Sequence, residues 1–311
     1  MKEKILNILT TSGKDNIISG VYISSLLGIS RVAVWKHLKK LKQEGYDIKS
    51  SSRGYQLRNS NDLLFPFCFK NQGSTIHYFP RIPSTMDIAK KMARNNKTPH
   101  LTVVIAEEQT KGRGRLKRIW NSSKGGLWFS IILRPNLPPP FSFKVNFAAS
   151  ISLVRTLNKL FKINATVKWP NDILLNEKKL AGLLSEMETK GDMISFVNIG
   201  IGLNVNNFPE KHEPNAVSIR TFIGKKVLRK KILSCFLNDF EKQLKGIYHK
   251  NIIKIWKKYT STIGRKVKIE TYGEISEGVA TDVDDTGSLI LKQKNGITKK
   301  IIYGDCFYKK I

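Results

Sequence analysis

Apolar positions near the start of the chain recur in short helical stripes. Ile5, Leu6, Ile8 and Leu9 mark one face of a first short helix. Residues 20–27 predict a second, closed by Gly28, which can take a positive φ. Ser30 is a suitable N-cap for a third helix, in which Val32, Val34, Leu38 and Leu41 are the apolar positions and Gly45 the stop. Arg31, Lys36, Lys39, Lys40 and Lys42 lie largely off that face, and Trp35 reads as a packed side chain. Residues 46–57 then alternate as two short strands around a polar turn. Three small helices and a β-wing predict a winged helix-turn-helix over 1–60, with the third helix in a major groove and Arg31 and Lys36 near its leading end. A three-helix protein-interaction domain with a solvated charged face fits the same pattern.

From 61 to about 262 strands and helices mix without a regular βαβ repeat. Residues 102–106 and 127–133 are β-rich, and 165–169, 173–175, 179–186 and 193–199 form a meander turning at Asn176-Glu177. A largely antiparallel or mixed sheet follows. Helical periodicity covers about 84–95, 142–162 and 228–247. Residues 263–311 are dense in Gly and β-branched residues, with turns at Asp285-Thr-Gly287 and Asn295-Gly296, and predict a small SH3-like β-barrel of four or five strands. The fold class is thus α+β multidomain: a winged helix (1–60), a mixed-sheet α+β core (61–262) and a small barrel (263–311).

Composition narrows the classes. At 41% hydrophobic over 311 residues the chain has material for more than one core, which excludes global disorder. No run reaches the ~18 apolar residues of a spanning helix, and residues 1–7 show no signal-peptide core, so a cytoplasmic protein without membrane association is expected. Cys68, Cys235 and Cys306 are far apart and form no CxxC, which points to free thiols. The five histidines form no HxxxH or HxH pair, and no permanently bound metal is expected. The formal charge is +30, from 54 Lys+Arg against 24 Asp+Glu. It suggests nucleic acid until its distribution is read. Residues 1–60 carry a net +7, close to the average density, whereas 225–268 carry +12. Acceptor steering and plain compositional drift both account for the excess.

Two loops carry candidate chemistry. Gly112-Arg-Gly-Arg-Leu-Lys-Arg-Ile-Trp120 joins two strands, and its paired glycines allow close backbone approach while three arginines and a lysine attract carboxylate or phosphate. It is neither a Walker A loop nor a dinucleotide fingerprint; an exposed basic loop fits as well. Lys168-Trp-Pro-Asn-Asp172 and Lys179-Leu-Ala-Gly182 bring a Lys, an Asn-Asp pair and a second Lys to one end of a sheet, where Asn-Asp suits Mg²⁺ or an amine and Lys179 an oxyanion. A structural turn with surface charge is the plainer alternative.

Together these segments resemble the GRGRxxRxW and KWPND…KLAG motifs of biotin–protein ligases. Pro83-Ser-Thr85, Ala106-Glu-Glu-Gln109 and Gly200-Ile-Gly-Leu-Asn204 fall in the family's order, and the winged helix with the terminal barrel resembles the bifunctional bacterial form that also represses biotin synthesis. The resemblance covers essentially the whole chain. It implies ATP-dependent formation of biotinyl-5′-AMP and transfer of biotin to a lysine of a biotin carboxyl carrier protein, an acetyl-CoA carboxylase subunit. It also implies adenylate-dependent homodimerisation and binding to operator DNA. ATP with Mg²⁺ and biotin would be the substrates. On the same ground Ser84, Thr85, Gln109, Arg113, Arg115 and Lys179 would bind biotin, and Trp120, Asn171 and Asn204 the nucleotide. Lys179, Arg115 and Asp172 would serve catalysis, with Asp172 also near the metal. Two positions depart from the family's pattern: Met86 replaces Asn, and Lys117 stands where the loop commonly has Gly. A ligase whose winged helix no longer represses, and a repressor that only senses ligand, are the rival functions.

Overall fold

The computed structural model describes residues 1–11, 16–43, 46–58, 62, 64–69, 75–248 and 251–309. Helices α1 (Lys2–Thr11), α2 (Gly20–Leu27) and α3 (Arg31–Gln43) precede an antiparallel ribbon of β1 (Ile48–Ser51) and β2 (Gly54–Leu57). Ile5, Leu6, Ile8 and Leu9 of α1 are all buried, as the stripe predicts. Gly28 ends α2 at φ 63 in the left-handed region. Ser30 Oγ accepts the Ala33 N–H at 3.1 Å, which satisfies an otherwise orphaned donor in the first turn of α3.

Val34, Leu38 and Leu41 complete the small wing core. Val32 and Trp35 do not join it. They are 62% and 50% exposed, and Lys39 Nζ lies 5.1 Å from the Trp35 ring centroid. The seam at 34, 38 and 41 (i, i+4, i+7) already fills the stripe that faces α1, so 32 and 35 fall outside it. Gly45, the expected stop, and the expected boundary at 60/61 lie outside the described residues.

The central sheet has the order β3-β4-β5-β9-β8-β7-β6, comprising β3 (Ile76–Phe79), β4 (Thr102–Ala106), β5 (Leu127–Leu133), β6 (Thr166–Lys168), β7 (Asp172–Leu175), β8 (Lys178–Lys190) and β9 (Met193–Leu203). Only β3 and β4 run parallel, so the sheet is mixed, as expected. Every residue of β5 is buried, because helices cover both faces of the sheet. On one face α4 (Thr85–Ala93) sets Ala89 and Ala93 against Val104, Ile132 and Phe196. On the other lies α5 (Phe143–Phe161), followed after the short α6 (Ile219–Ile223) by α7 (Arg229–Leu244) and α8 (Ile252–Lys257). Asn176 and Glu177, at φ 47 and 63, form the two-residue turn between β7 and β8.

Strands β10 (Lys266–Thr271), β11 (Glu274–Val283), β12 (Leu289–Lys292), β13 (Thr298–Ile301) and β14 (Asp305–Tyr308) form an antiparallel sheet in the order β13-β12-β11-β10-β14. Its inner residues, Val267, Ile269, Leu289, Leu291 and Cys306 among them, share one hydrophobic cluster with the central sheet. Trp169 ties the two together: its backbone N–H donates to Thr262 Oγ1 at 2.9 Å and its indole N–H to the Gly287 carbonyl at 3.1 Å.

Candidate active site

A cavity of about 620 Å³ opens at the end of the central sheet, between α4, the 112–120 loop, the β6–β8 segment and β14. All ten core residues singled out from the sequence line it: Ser84, Thr85, Gln109, Arg113, Arg115, Trp120, Asn171, Asp172, Lys179 and Asn204. Arg31 and Lys36 lie apart from it, exposed on α3.

The inner wall is a chain of neutral hydrogen bonds. Thr85 donates its N–H and its hydroxyl to Gln109 Oε1 at 2.7 and 3.1 Å, and Ser130 donates to Thr85 Oγ1 at 2.8 Å. Gln109 Nε2 in turn donates to Ser122 Oγ at 2.8 Å. Ser84 is 1% exposed, and its hydroxyl has no partner among the described residues. A buried hydroxyl left open in an otherwise satisfied wall suits a ligand that carries both donors and acceptors, as a cyclic urea does. Met86 closes the same wall, with its sulfur 2.7 Å from where a Cβ on Gly200 would stand.

The loop folds back on itself through Trp120 N–H to Gly112 O at 2.9 Å and Gly114 N–H to Arg118 O at 2.8 Å. Leu116 and Lys117 take φ of 52 and 59, so the loop holds a glycine-type backbone where Lys117 stands, at a cost of roughly 1–2 kcal/mol per residue. Arg113 is paired with Asp87 and Glu186. Arg115 Nη1 donates to Asn171 Oδ1 and to the Gly304 carbonyl, both at 3.1 Å, and lies 3.7 Å from Asp305 Oδ1. Arg118 pairs with Asp305 as well. Burial pushes the Arg115 guanidinium down from its usual range, while Asp305 and Asp172 act against that shift.

Across the cavity Lys179 Nζ lies 2.9 Å from Asp172 Oδ1 and 5.2 Å from the centroid of the Trp120 ring. The indole rests on a floor without side chains: a Cβ on Gly182 or Gly202 would meet it at 2.8 or 2.4 Å. Asn171 Nδ2 donates to the Leu183 carbonyl at 2.7 Å, which fixes its oxygen toward Arg115. Asn204 is buried and accepts from Asn207 Nδ2 at 2.9 Å. No group of three or more His, Cys, Asp or Glu with metal-binding geometry occurs among the described residues. Asp172 brings a carboxylate to the cavity beside Lys179.

The sequence did not point to Ser122, Ser130, Glu186 or Asp305. Ser130 had a usable signal, a polar residue inside an apolar strand, and Ser122 follows the loop motif closely. Asp305 had none, since only the folded chain brings β14 to the loop.

A polar pocket beside the cluster of Arg115, Asn171, Asp172 and Lys179, in a chain that also carries a winged helix-turn-helix unit, defines a ligand-binding α+β core joined to a helix-turn-helix domain. Residues 78–206 match the biotin/lipoate A/B protein ligase family, 262–309 the biotin protein ligase C terminal domain, and 2–56 an HTH domain. The chain is 34% identical over 320 residues to the bifunctional ligase/repressor BirA of Bacillus subtilis (strain 168), covering 98% of each protein. It is 28% identical over 315 residues to BirA of Escherichia coli (strain K12), covering 96% of this chain and 95% of that one. The structure of a biotin protein ligase from Aquifex aeolicus in complex with biotin and ATP superposes with a TM-score of 0.63 at 27% identity, over 76% of this chain and 99% of that one. The chain belongs to the family of bifunctional biotin–protein ligase/repressors. Among the described residues no helix is long and apolar enough to cross a membrane.

Proposed function

We propose that this protein joins biotin to ATP as biotinyl-5′-AMP, transfers biotin to a lysine of a biotin carboxyl carrier protein, and uses its winged helix to repress biotin synthesis at an operator. The observation that carries the ligase reading is the convergence of Arg115, Asn171, Asp172 and Lys179 beside the neutral, urea-compatible wall of Ser84, Thr85 and Gln109. Sensing a ligand does not require that phosphate-neutralising set. In the first step a biotin carboxylate oxygen attacks the α-phosphorus of ATP and pyrophosphate leaves. Two anions must meet, so Lys179 and Arg115 neutralise charge and align the attack. ATP arrives as its Mg²⁺ complex, and Asp172, which lies beside Lys179 in the cavity, would share that cation. In the second step a neutral acceptor amine attacks the mixed-anhydride carbonyl and AMP departs. Asp172 orients the amine and takes its proton. Trp120, lying beside Lys179, supplies an aromatic surface for adenine, and Asn204 borders the purine edge.

On the same reading the units divide at 60/61 and 262/263, Arg31 and Lys36 approach DNA, and the adenylate-bound protein is a homodimer. A reducing cytoplasm suits its three free cysteines. The test combines protein, ATP, Mg²⁺ and biotin and follows pyrophosphate. Release should require biotin, and operator affinity should rise when biotin and ATP are both present. Ligand-independent DNA binding with intact pyrophosphate release would leave a ligase without regulated repression.

A further inference from the structure

Among the described residues, Arg229 is the one charged side chain that is buried, at 5% exposure, and it lies outside the ligand cavity at the start of α7. Its partners come from three parts of the chain. Nε donates to Asp62 Oδ2 at 2.6 Å, Nη2 to the Asp62 carbonyl at 3.1 Å, and the Arg229 backbone N–H to Asp62 Oδ1 at 2.7 Å. Nη1 donates to Glu107 Oε1 at 2.8 Å and to the Gly126 carbonyl at 2.9 Å. Asn206 Nδ2 adds a further donor to Asp62 Oδ2 at 3.3 Å.

Asp62 lies on the segment that leaves the wing. Three residues on, Phe65 packs between Tyr46 of the wing and Tyr78 of β3, at centroid distances of 4.8 and 4.9 Å. A buried guanidinium is tolerated only where its donors are matched, so these groups hold one another in a single arrangement. Two of the anchors sit on the doorstep of the ligand site. Glu107 is two residues from Gln109 of the neutral wall, and Asn206 is two residues from Asn204.

We infer that Arg229 is a positioning residue that fixes the bearing of the wing on the core and, through Glu107 and Asn206, makes the wing junction firmer when the ligand cavity is filled. The inference rests on the ligand reading above and adds the route by which occupancy reaches the wing. Linkage is reciprocal: a junction that ligand tightens must in turn raise ligand affinity by the same factor, so loosening it should weaken ligand binding to that extent.

Hydrogen–deuterium exchange on the full chain tests this, with and without biotin, ATP and Mg²⁺. In the wild type, ligand should slow exchange at 107–120 and also, by about tenfold, at 46–58 and 64–69. Asp62→Asn removes the charge that reaches across the junction and leaves Arg229 paired with Glu107. At saturating biotin and ATP it should keep ligand protection at 107–120 and pyrophosphate formation within about twofold of wild type, yet lose the protection at 46–58 and 64–69. Asp62→Glu should restore part of it. Asn206→Ala, which leaves both Arg229 ion pairs in place, is the second variant and decides the case if Asp62→Asn also opens β5; it should weaken the same protection. Protection at 46–69 that survives both variants, or that is missing from the wild type while 107–120 is protected, overturns the inference. Absence of protection at 107–120 in the wild type contradicts the ligand reading itself.

Discussion

Lys179 is the residue on which the chemistry turns, because it faces both the Asp172 carboxylate and the Trp120 ring at the open side of the cavity. Lys179→Ala should lower the rate of biotin-dependent pyrophosphate release by about 10²–10³-fold, the scale of one lost charge-stabilising donor, with little change in thermal midpoint. A stopped-time pyrophosphate assay reads it. Gly202 tests the aromatic floor. Gly202→Ala puts a methyl within 2.4 Å of the Trp120 indole and should displace the ring, raising KM for ATP more than KM for biotin and shifting tryptophan emission. Asp284 gives a pH handle remote from the site. Partial burial works to raise its pKa, but Lys300 and the Thr286 and Ser288 hydrogen bonds prevail and bring it to about 2. A carboxylate depressed below its ordinary range contributes stability above the unfolded pKa and loses it as pH falls toward 2. The wild type should therefore lose more thermal stability than Asp284→Asn between about pH 4 and 2, read by calorimetry of the two proteins side by side.

Elements of clear period or strong punctuation were legible in the sequence, and short ones were not. Helix α1, the Gly28 cap, the Ser30 cap and the β1–β2 wing stand where the pattern puts them, and so do β4 through β9. Strand β3, α6 and α8, each 4–6 residues long, span too little chain for a period to show. Trp35 departs from the packed position expected of a large aromatic because the narrow seam of α3 has no room for it. The site was legible in its motif residues, which face the cavity from four separate segments. The Asp305 latch on Arg115 and Arg118 was not, because it depends on how two units dock. At this scale Ser30→Ala should cost about 1 kcal/mol of wing stability and fray the leading turn of α3. Faster amide exchange at 31–34, with the central sheet unchanged, is the expected sign.

Across the whole molecule, the +30 charge explains less than the placement of a few side chains. The wing, the core and the third unit each lend a group to a junction: Tyr46 to the aromatic cluster, Trp169 to Gly287, Asp305 to the arginine loop. The candidate ligand cavity and the helix-turn-helix unit thus belong to one connected body. The basic density in 225–268 belongs to the core side of that body, and steering of an acidic acceptor by it should make biotin transfer slow with added salt at fixed adenylate. The central claim is ligation, and a single-turnover transfer tests it most directly. The protein is first charged with biotin, ATP and Mg²⁺, freed of excess nucleotide, and then mixed with a biotin carrier domain while the acceptor is followed by intact mass. The account predicts one biotin on one lysine of the acceptor, formed with release of AMP, and no transfer when that lysine is replaced by arginine. An acceptor that gains no biotin from a protein that has released pyrophosphate, or gains it equally in the arginine variant, would contradict it.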